Sequence, residues 1–242
     1  MRFRYHQPIP NFYKIENPHH PKTTISDDFL NEFVEIAVES QFAGLSYSKL
    51  SDEFKNEWDI SWDNIIILKY HMSDEILKMN PSREKCKLMD EEFQEVGIKT
   101  FELADILRKN GFKADLINPL DDRVSLRAIA LQSNDAVITR SNMCMFKEGL
   151  NLGFFMIQTS IENLPVKKEN DMLWVKDYCS TCGVCIDRCP EKAFDDEGKF
   201  LRKLCTAHRE GCSKCIDLCP FYKRGYEKVK KRYSRMKKWM TK

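Results

Sequence analysis

No apolar run in this chain is long enough to cross a bilayer. Stretches such as Ile65 to Leu68 and Phe154 to Ile157 fall far below the roughly 18–20 residues that a membrane-spanning helix needs. The opening residues, Met1 to Pro8, carry charge and proline but lack the apolar core of a secretory signal, so the chain is expected in the cytoplasm. No internal repeat is visible outside one cysteine-rich stretch. A disulfide scaffold is also excluded. The chain has 242 residues and 10 cysteines, and eight of those cysteines crowd into residues 179–219 at metal-ligand spacings. The other two, Cys86 and Cys144, stand alone in apolar or helical surroundings and read as buried thiols rather than nucleophiles.

Charge of either sign is not in excess overall, since the net value is +2, yet that balance conceals an asymmetry. Residues 221–242 hold ten Lys/Arg against Glu227, a charge of +9, whereas residues 1–220 carry −7. Within the tail, Tyr222, Tyr226, Val229, Tyr233, Met236 and Met240 recur every three or four positions with basic residues between them. That pattern is a basic amphipathic helix. Docking on the acidic body or on an acidic redox partner is favoured over nucleic acid, because no RNA-binding module accompanies it.

Residues 1–24 are rich in proline and lack periodicity, so they read as an extended arm on the body. The adjacent pair His19-His20 is a poor metal signal. Ser26 caps a helix with Phe29, Leu30, Phe33, Val34, Ala37 and Val38 at helical spacing. Trp58 and Trp62 fall in a polar loop. Residues 65–70 form a β-rich run ending at Tyr70-His71, the end of a strand being a usual place for functional groups. Ser82 opens the longest helical pattern, which Asn110-Gly111 closes. A strand is expected over Phe112–Ile117, a helix over 121–132, and short strands over Ala136–Thr139 and Phe154–Thr159. Helices and strands alternate, which gives an α/β or α+β layer domain of about 170 residues ahead of the cysteines.

The run Cys179-x2-Cys182-x2-Cys185-x3-Cys189-Pro190 has the spacing of a bacterial-type 4Fe-4S site, in which three thiolates wrap one cube and the fourth reaches a second. A second set comes next as Cys205-x6-Cys212-x2-Cys215-x3-Cys219-Pro220. By that crossover, Cys179, Cys182, Cys185 and Cys219 hold one cluster, and Cys189, Cys205, Cys212 and Cys215 hold the other. Zinc is the competing reading, but three cysteines at two-residue gaps with a Cys-Pro behind them are unusual for it. Two such cubes form a two-step wire for single electrons in a reducing, oxygen-poor compartment.

The fifteen residues between Cys189 and Cys205, and the missing first Cys-x2 step of the second set, resemble the cluster domain of epoxyqueuosine reductases and corrinoid reductive dehalogenases. Upstream the resemblance continues through Ala136-Val-Ile-Thr-Arg140-Ser141-Asn142, Gly149, the aromatic run Gly153-Phe154-Phe155 and Thr159-Ser-Ile-Glu-Asn-Leu164-Pro165. Ile65–Tyr70 is similar to the family's strand leading to its active-site loop, and Leu107–Ala114 to its helix-to-strand turn. The resemblance covers about residues 60–220. It departs at Ser133-Asn134-Asp135-Ala136, where the family has a glycine-containing Ala-Gly-Leu-Gly turn that lets backbone approach a bulky cofactor. The helical-repeat extension with which many queuosine enzymes hold tRNA is also lacking.

The resemblance implies an α+β fold: a nitroreductase-like layer domain over 25–172, a two-cluster ferredoxin-like domain over 173–222, and a basic helix over 223–242. It also implies a cobalamin beside the clusters, with Arg140, Ser141 and Asn142 as donors to corrinoid side chains. Asp121 or Asp122 would supply a proton, with Tyr70 nearby; the two aspartates also read as a helix cap. The leading expectation is a corrinoid-linked iron–sulfur reductase fed by a low-potential donor such as ferredoxin or flavodoxin. The rival is an electron-transfer or activating protein without a substrate of its own. Action on tRNA is a weaker third.

Overall fold

The computed structural model describes residues 6–58, 60–121 and 123–240. In chain order its elements are α1 (Asp27–Glu39), β1 (Gly44–Lys49), α2 (Asp52–Glu57), β2 (Asn64–His71), α3 (Asp74–Lys78), α4 (Arg83–Lys109), β3 (Ala114–Leu116) and α5 (Leu126–Gln132). Then come β4 (Val137–Ile138), β5 (Cys144–Met145), β6 (Leu152–Thr159), α6 (Trp174–Cys182), α7 (Val184–Asp187), α8 (Ala207–Glu210), α9 (Lys214–Asp217), α10 (Pro220–Arg224) and α11 (Tyr226–Met240).

Four strands form one antiparallel sheet in the order β1-β2-β6-β3, so the layered body is α+β rather than parallel α/β. The period of two along β2 explains why its apolar run has no polar face. Ile66, Leu68 and Tyr70 pack with Phe155 and Ile157 of β6 under α1 and α4. Ile65 and Ile67 pack with Met156 on the opposite face, under Ile129 and Ala130 of α5. Both faces are thus covered, and β2 lies at the centre of three layers. The helix signals of α1 and α4 match their caps: Ser26 and Ser82 each accept a backbone N–H through the side chain.

Three local expectations change. The 121–132 helix begins only at Leu126, capped by Ser125, because Asp121 turns its carboxylate onto the Arg123 N–H and guanidinium instead. Trp58 is not in a polar loop: it ends the short helix α2, buried and stacked on Phe54 at 4.6 Å. The strand expected over Phe112–Ile117 is the three-residue β3.

Residues 6–24 carry no helix or strand and cross α4, with Tyr13 edge-on to Phe101 at 4.6 Å and His6 stacked on Phe93 at 4.1 Å. At the other end α11 lays Tyr226, Val229 and Tyr233 against a third core that includes Val137, Met145 and Val175. Trp174 stacks on Tyr233 and donates its indole N–H to the Tyr226 hydroxyl at 2.9 Å. Tyr226, Val229 and Tyr233 of the expected stripe therefore dock on the protein itself, while Met236, 42% exposed, and Trp239, 84% exposed, stand clear. Among the described residues no helix is long and apolar enough to cross a membrane.

Candidate metal centre

Helix α6 brings Cys179 and Cys182 to its last turn and stops at Gly183, whose φ of +60° is a left-handed turn that an L side chain rarely adopts. That reversal sends α7 back across the helix end and returns Cys185 toward the first two thiols. The second half reuses the device. Gly211, at φ +67°, ends α8, Cys212 is next in the chain, and α9 carries Cys215. The backbone leaves the two Cys-Pro endings differently. After Cys189 the chain forms a hairpin, closed by the Phe194–Phe200 bridge, and the Ala193 N–H reaches the Cys189 sulfur at 3.4 Å. After Cys219, Pro220 starts α10 without an N–H of its own; the Phe221 N–H turns toward the Cys219 sulfur, and the Tyr222 N–H donates to the Cys219 carbonyl at 3.1 Å.

The thiols converge in two groups. Cys179 faces Cys182, Cys185 faces both, and Cys219 faces Cys179 and Cys185. Cys205 faces Cys189 and Cys212, and Cys215 faces Cys205 and Cys212. Cys215 also faces Cys185, so the groups adjoin. Burial pushes the Cys185 thiol up to about 11 and those of Cys215 and Cys219 up to about 12. Burial favours the protonated thiols, so any metal they take must displace protons. A cavity of about 230 Å³ opens among Cys185, Cys189, Cys205, Cys212 and Cys215, walled on the body side by Met72 and Asn142. A narrower one lies among Cys179, Cys182, Cys185 and Cys219. Among the described residues no three His, Cys, Asp or Glu side chains close in tightly enough for a single ion. Sulfurs spread round a central space suit a cube, with its four separated irons, better than one zinc at bond lengths of about 2.3 Å.

The remaining site residues separate into those near the thiols and those far from them. Arg140 turns toward the cysteines: its guanidinium donates to the Ser180 carbonyl at 3.3 Å, and its backbone N–H serves the Cys179 sulfur. Ser141 is buried and bonded to Thr139 at 2.9 Å, and Asn142 sits at φ +60°; both line the larger cavity. Tyr70 belongs to the α1/α4 face of the sheet. Its ring lies over Gly153, where a Cβ would come within 2.4 Å, and it borders a separate cavity with Glu92 and Gln41. Asp121 is tied to Arg123 at 2.8 Å, and Asp122 lies outside the described residues, as does the side chain of Met240.

Two features escaped the sequence reading. The turn Ser133–Ala136 is filled by a buried charge network in which Asp135 receives Ser46, Lys69 at 3.5 Å and Lys167, while Lys69, 1% exposed, also pairs with Glu148. Burial pushes the Asp135 carboxyl up, but these donors outweigh it and hold it below the usual value. The other is Lys85, fully buried against the second cysteine group. A lysine inside an apolar strand pattern, as Lys69 is, was the available signal for the first. Nothing local marks the second.

No protein-family model and no curated protein matches the chain. Solved structures do. A catabolic reductive dehalogenase in complex with 3-bromo-4-hydroxybenzoic acid is similar over 85% of this chain at 13% identity, with a TM-score of 0.67. A reductive dehalogenase described as B12-dependent is similar over 90% at 14% identity and a TM-score of 0.62. An epoxyqueuosine reductase from Bacillus subtilis, with its catalytic loop swung out of the active site, is similar over 82% at 14% identity and a TM-score of 0.52. The chain spans 34% of the length of the dehalogenases and 66% of that of the epoxyqueuosine reductase. The chain therefore has the fold of the reductive dehalogenases and epoxyqueuosine reductases, the families that its cysteine spacing resembles.

Proposed function

We propose that this chain is an iron–sulfur oxidoreductase that relays single electrons through two 4Fe-4S clusters. One is held by Cys179, Cys182, Cys185 and Cys219, the other by Cys189, Cys205, Cys212 and Cys215. The observation that carries the reading is the convergence of eight thiols into two groups around central cavities, with Cys185 lining both cavities. Bound there, the clusters would supply one-electron transfer at low potential. The chain's own residues do the rest. Gly183 and Gly211 reverse the backbone, the Phe221 N–H faces the Cys219 sulfur, and Tyr178, half-buried beside Cys182 and Cys219, shields one side of the first group. A low-potential donor of the ferredoxin or flavodoxin kind is the fitting electron source. Such proteins are acidic, and the outer face of α11 offers lysines, arginines and the exposed Trp239 within reach of the first group through Trp174 and Tyr178.

A corrinoid acceptor is the second reading, favoured by the shared fold. The residues at the turn do not fit it, because Asp135 and its lysines occupy the place where close backbone approach would need glycine. The test is anaerobic reconstitution with iron and sulfide, metal analysis, electron paramagnetic resonance, and a visible titration with cobalamin. About eight irons per chain, two reduced-cluster signals and no retained cobalamin are expected. Stoichiometric zinc overturns the proposal, and retained cobalamin turns it into the corrinoid reductase.

A further inference from the structure

Lys85 occupies the first turns of α4, between Glu84 and Cys86, and is 0% exposed. Its Nζ donates to the Leu77 carbonyl at 2.9 Å, the Met79 carbonyl at 3.0 Å and the Ser213 hydroxyl at 2.6 Å. The Ser213 hydroxyl in turn donates to the Leu77 carbonyl at 2.6 Å, which commits its proton and leaves a lone pair facing the lysine. Three acceptors match the three N–H bonds of an ammonium; a neutral amine has two and would leave one acceptor unserved. Every partner is uncharged, so the cation is desolvated without being neutralised by direct pairing.

Ser213 stands between Cys212 and Cys215; burial pushes the Lys85 ammonium below its ordinary value, while Cys212 beside it acts the other way and its three acceptors serve the charged form. Met89, one turn further along α4, lines the cavity of that cysteine group. Gly211 lets the loop pass over both: a Cβ there would come within 3.1 Å of Lys85 Cγ and Met89 Sδ, at a backbone φ of +67°. Of the other charges on this side, Asp217 is paired with Lys214 near the surface, and Glu210 lies beside Cys86. The first cysteine group has Arg140, which is only half-buried and shares its charge with water and the Ser180 carbonyl.

On the two-cluster reading, on which this inference rests, we propose that Lys85 holds the reduction potential of the cluster of Cys189, Cys205, Cys212 and Cys215 above that of its neighbour. Reduction adds one negative charge to a cube, and a fixed positive charge in a low-dielectric interior stabilises that state far more than a solvated one does. With both clusters bound, that order would favour transfer from the first to the second, one being oxidised as the other is reduced, toward the side of the site that Met72 and Asn142 line. Lys85 touches no reacting atom and acts as a positioning residue for charge.

The test is a potentiometric titration of the reconstituted protein monitored by electron paramagnetic resonance, comparing wild type with Lys85→Gln and Lys85→Arg. In Lys85→Gln the midpoint of the second cluster falls and the first stays, so the order of reduction narrows or inverts; Lys85→Arg restores it. Iron near eight per chain with both midpoints unmoved overturns this inference and leaves the cluster reading intact, whereas a wild type without clusters defeats the reading itself. If Lys85→Gln cannot hold iron, the wild type labelled with lysine-15N decides. A lysine nitrogen coupled to the cluster reduced first is the expected result, and coupling to neither cluster overturns the proposal.

Discussion

In β2 four successive side chains, Ile65, Ile66, Ile67 and Leu68, are fully buried, whereas between residues 176 and 220 the buried hydrophobic side chains are Ala193 and Ile216. Each buried Ile or Leu contributes about 1.5–3 kcal/mol by leaving water, so the layered body holds itself together and the cysteine segment has little of its own to do so. The segment instead has short helices of four residues at α7, α8 and α9, left-handed turns at Gly183 and Gly211, and sulfurs gathered around space. Isolated helices of that length are unstable in water. The lesson is that one chain uses burial in one region and, on the reading proposed above, metal–thiolate bonds in the other.

The sharpest way to break that comparison is to remove the metal. Chelation under denaturant-free conditions should abolish amide-exchange protection across residues 176–219 while β2 and β6 keep theirs; equal loss in both regions would show that the body also depends on the clusters. Next in size is Cys219→Ser, which should lower iron from about eight to about four per chain by dismantling the cluster of Cys179, Cys182 and Cys185, over thirty residues upstream. Cys205→Ser should spare that cluster and lose the other. A loss of both in either variant would mean that each half folds only with its partner.

Burial in the body predicts a graded series. Phe33→Ala, at a fully buried position, should cost about 3–5 kcal/mol in denaturant unfolding. Leu204→Ala, on a side chain 47% exposed in the cysteine segment, should cost less than about 0.5 kcal/mol. Asp135→Asn should cost about 3 kcal/mol, the low end for a broken buried pair because Glu148 still faces Lys69. The sign with pH comes from the lowered carboxyl. Asp135 stabilises the fold above its ordinary value of 3.8 and ceases to as pH falls through the lower folded value, so the wild type's advantage over Asp135→Asn should vanish in acid. The smallest effect is expected at the surface. Lys237→Ala, which removes an exposed partner of Asp177, should leave the melting temperature unchanged while slowing reduction by an acidic donor at low salt.

Much of this was readable in the residues themselves. The Ser26 and Ser82 caps, the 3.6-residue spacing of α1 and α4 and the double-sided apolar run of β2 are local signals, and local physics honours them. Strand β1 was missed because Ser46 and Ser48 look like a polar loop; both are buried, and each gains a long-range side-chain hydrogen bond, to Asp135 and to the Ile129 carbonyl. The start of α5 was misplaced because Asp121 found a closer partner in Arg123 than a helix N-terminus. At the site, the cysteine spacing was legible because a short ligand motif fixes which thiols can reach one centre. Tyr70 was not, since a strand's side chains alternate and only the sheet decides which face meets the cysteines.

Sequence by itself marked the eight cysteines as two spacing motifs, and the fold gathers those thiols around two cavities. Sequence also determined which helices form, because caps and periodicity act within a few residues. Tertiary structure alone decided that Tyr226 and Val229 of α11 are spent on the body's third core, that Asp135 and Lys69 pair at the turn Ser133–Ala136, and that Lys85 is buried on Ser213. In each case a deciding partner lies dozens of residues away, and a charge or an apolar stripe has no defined environment until the chain has brought them together.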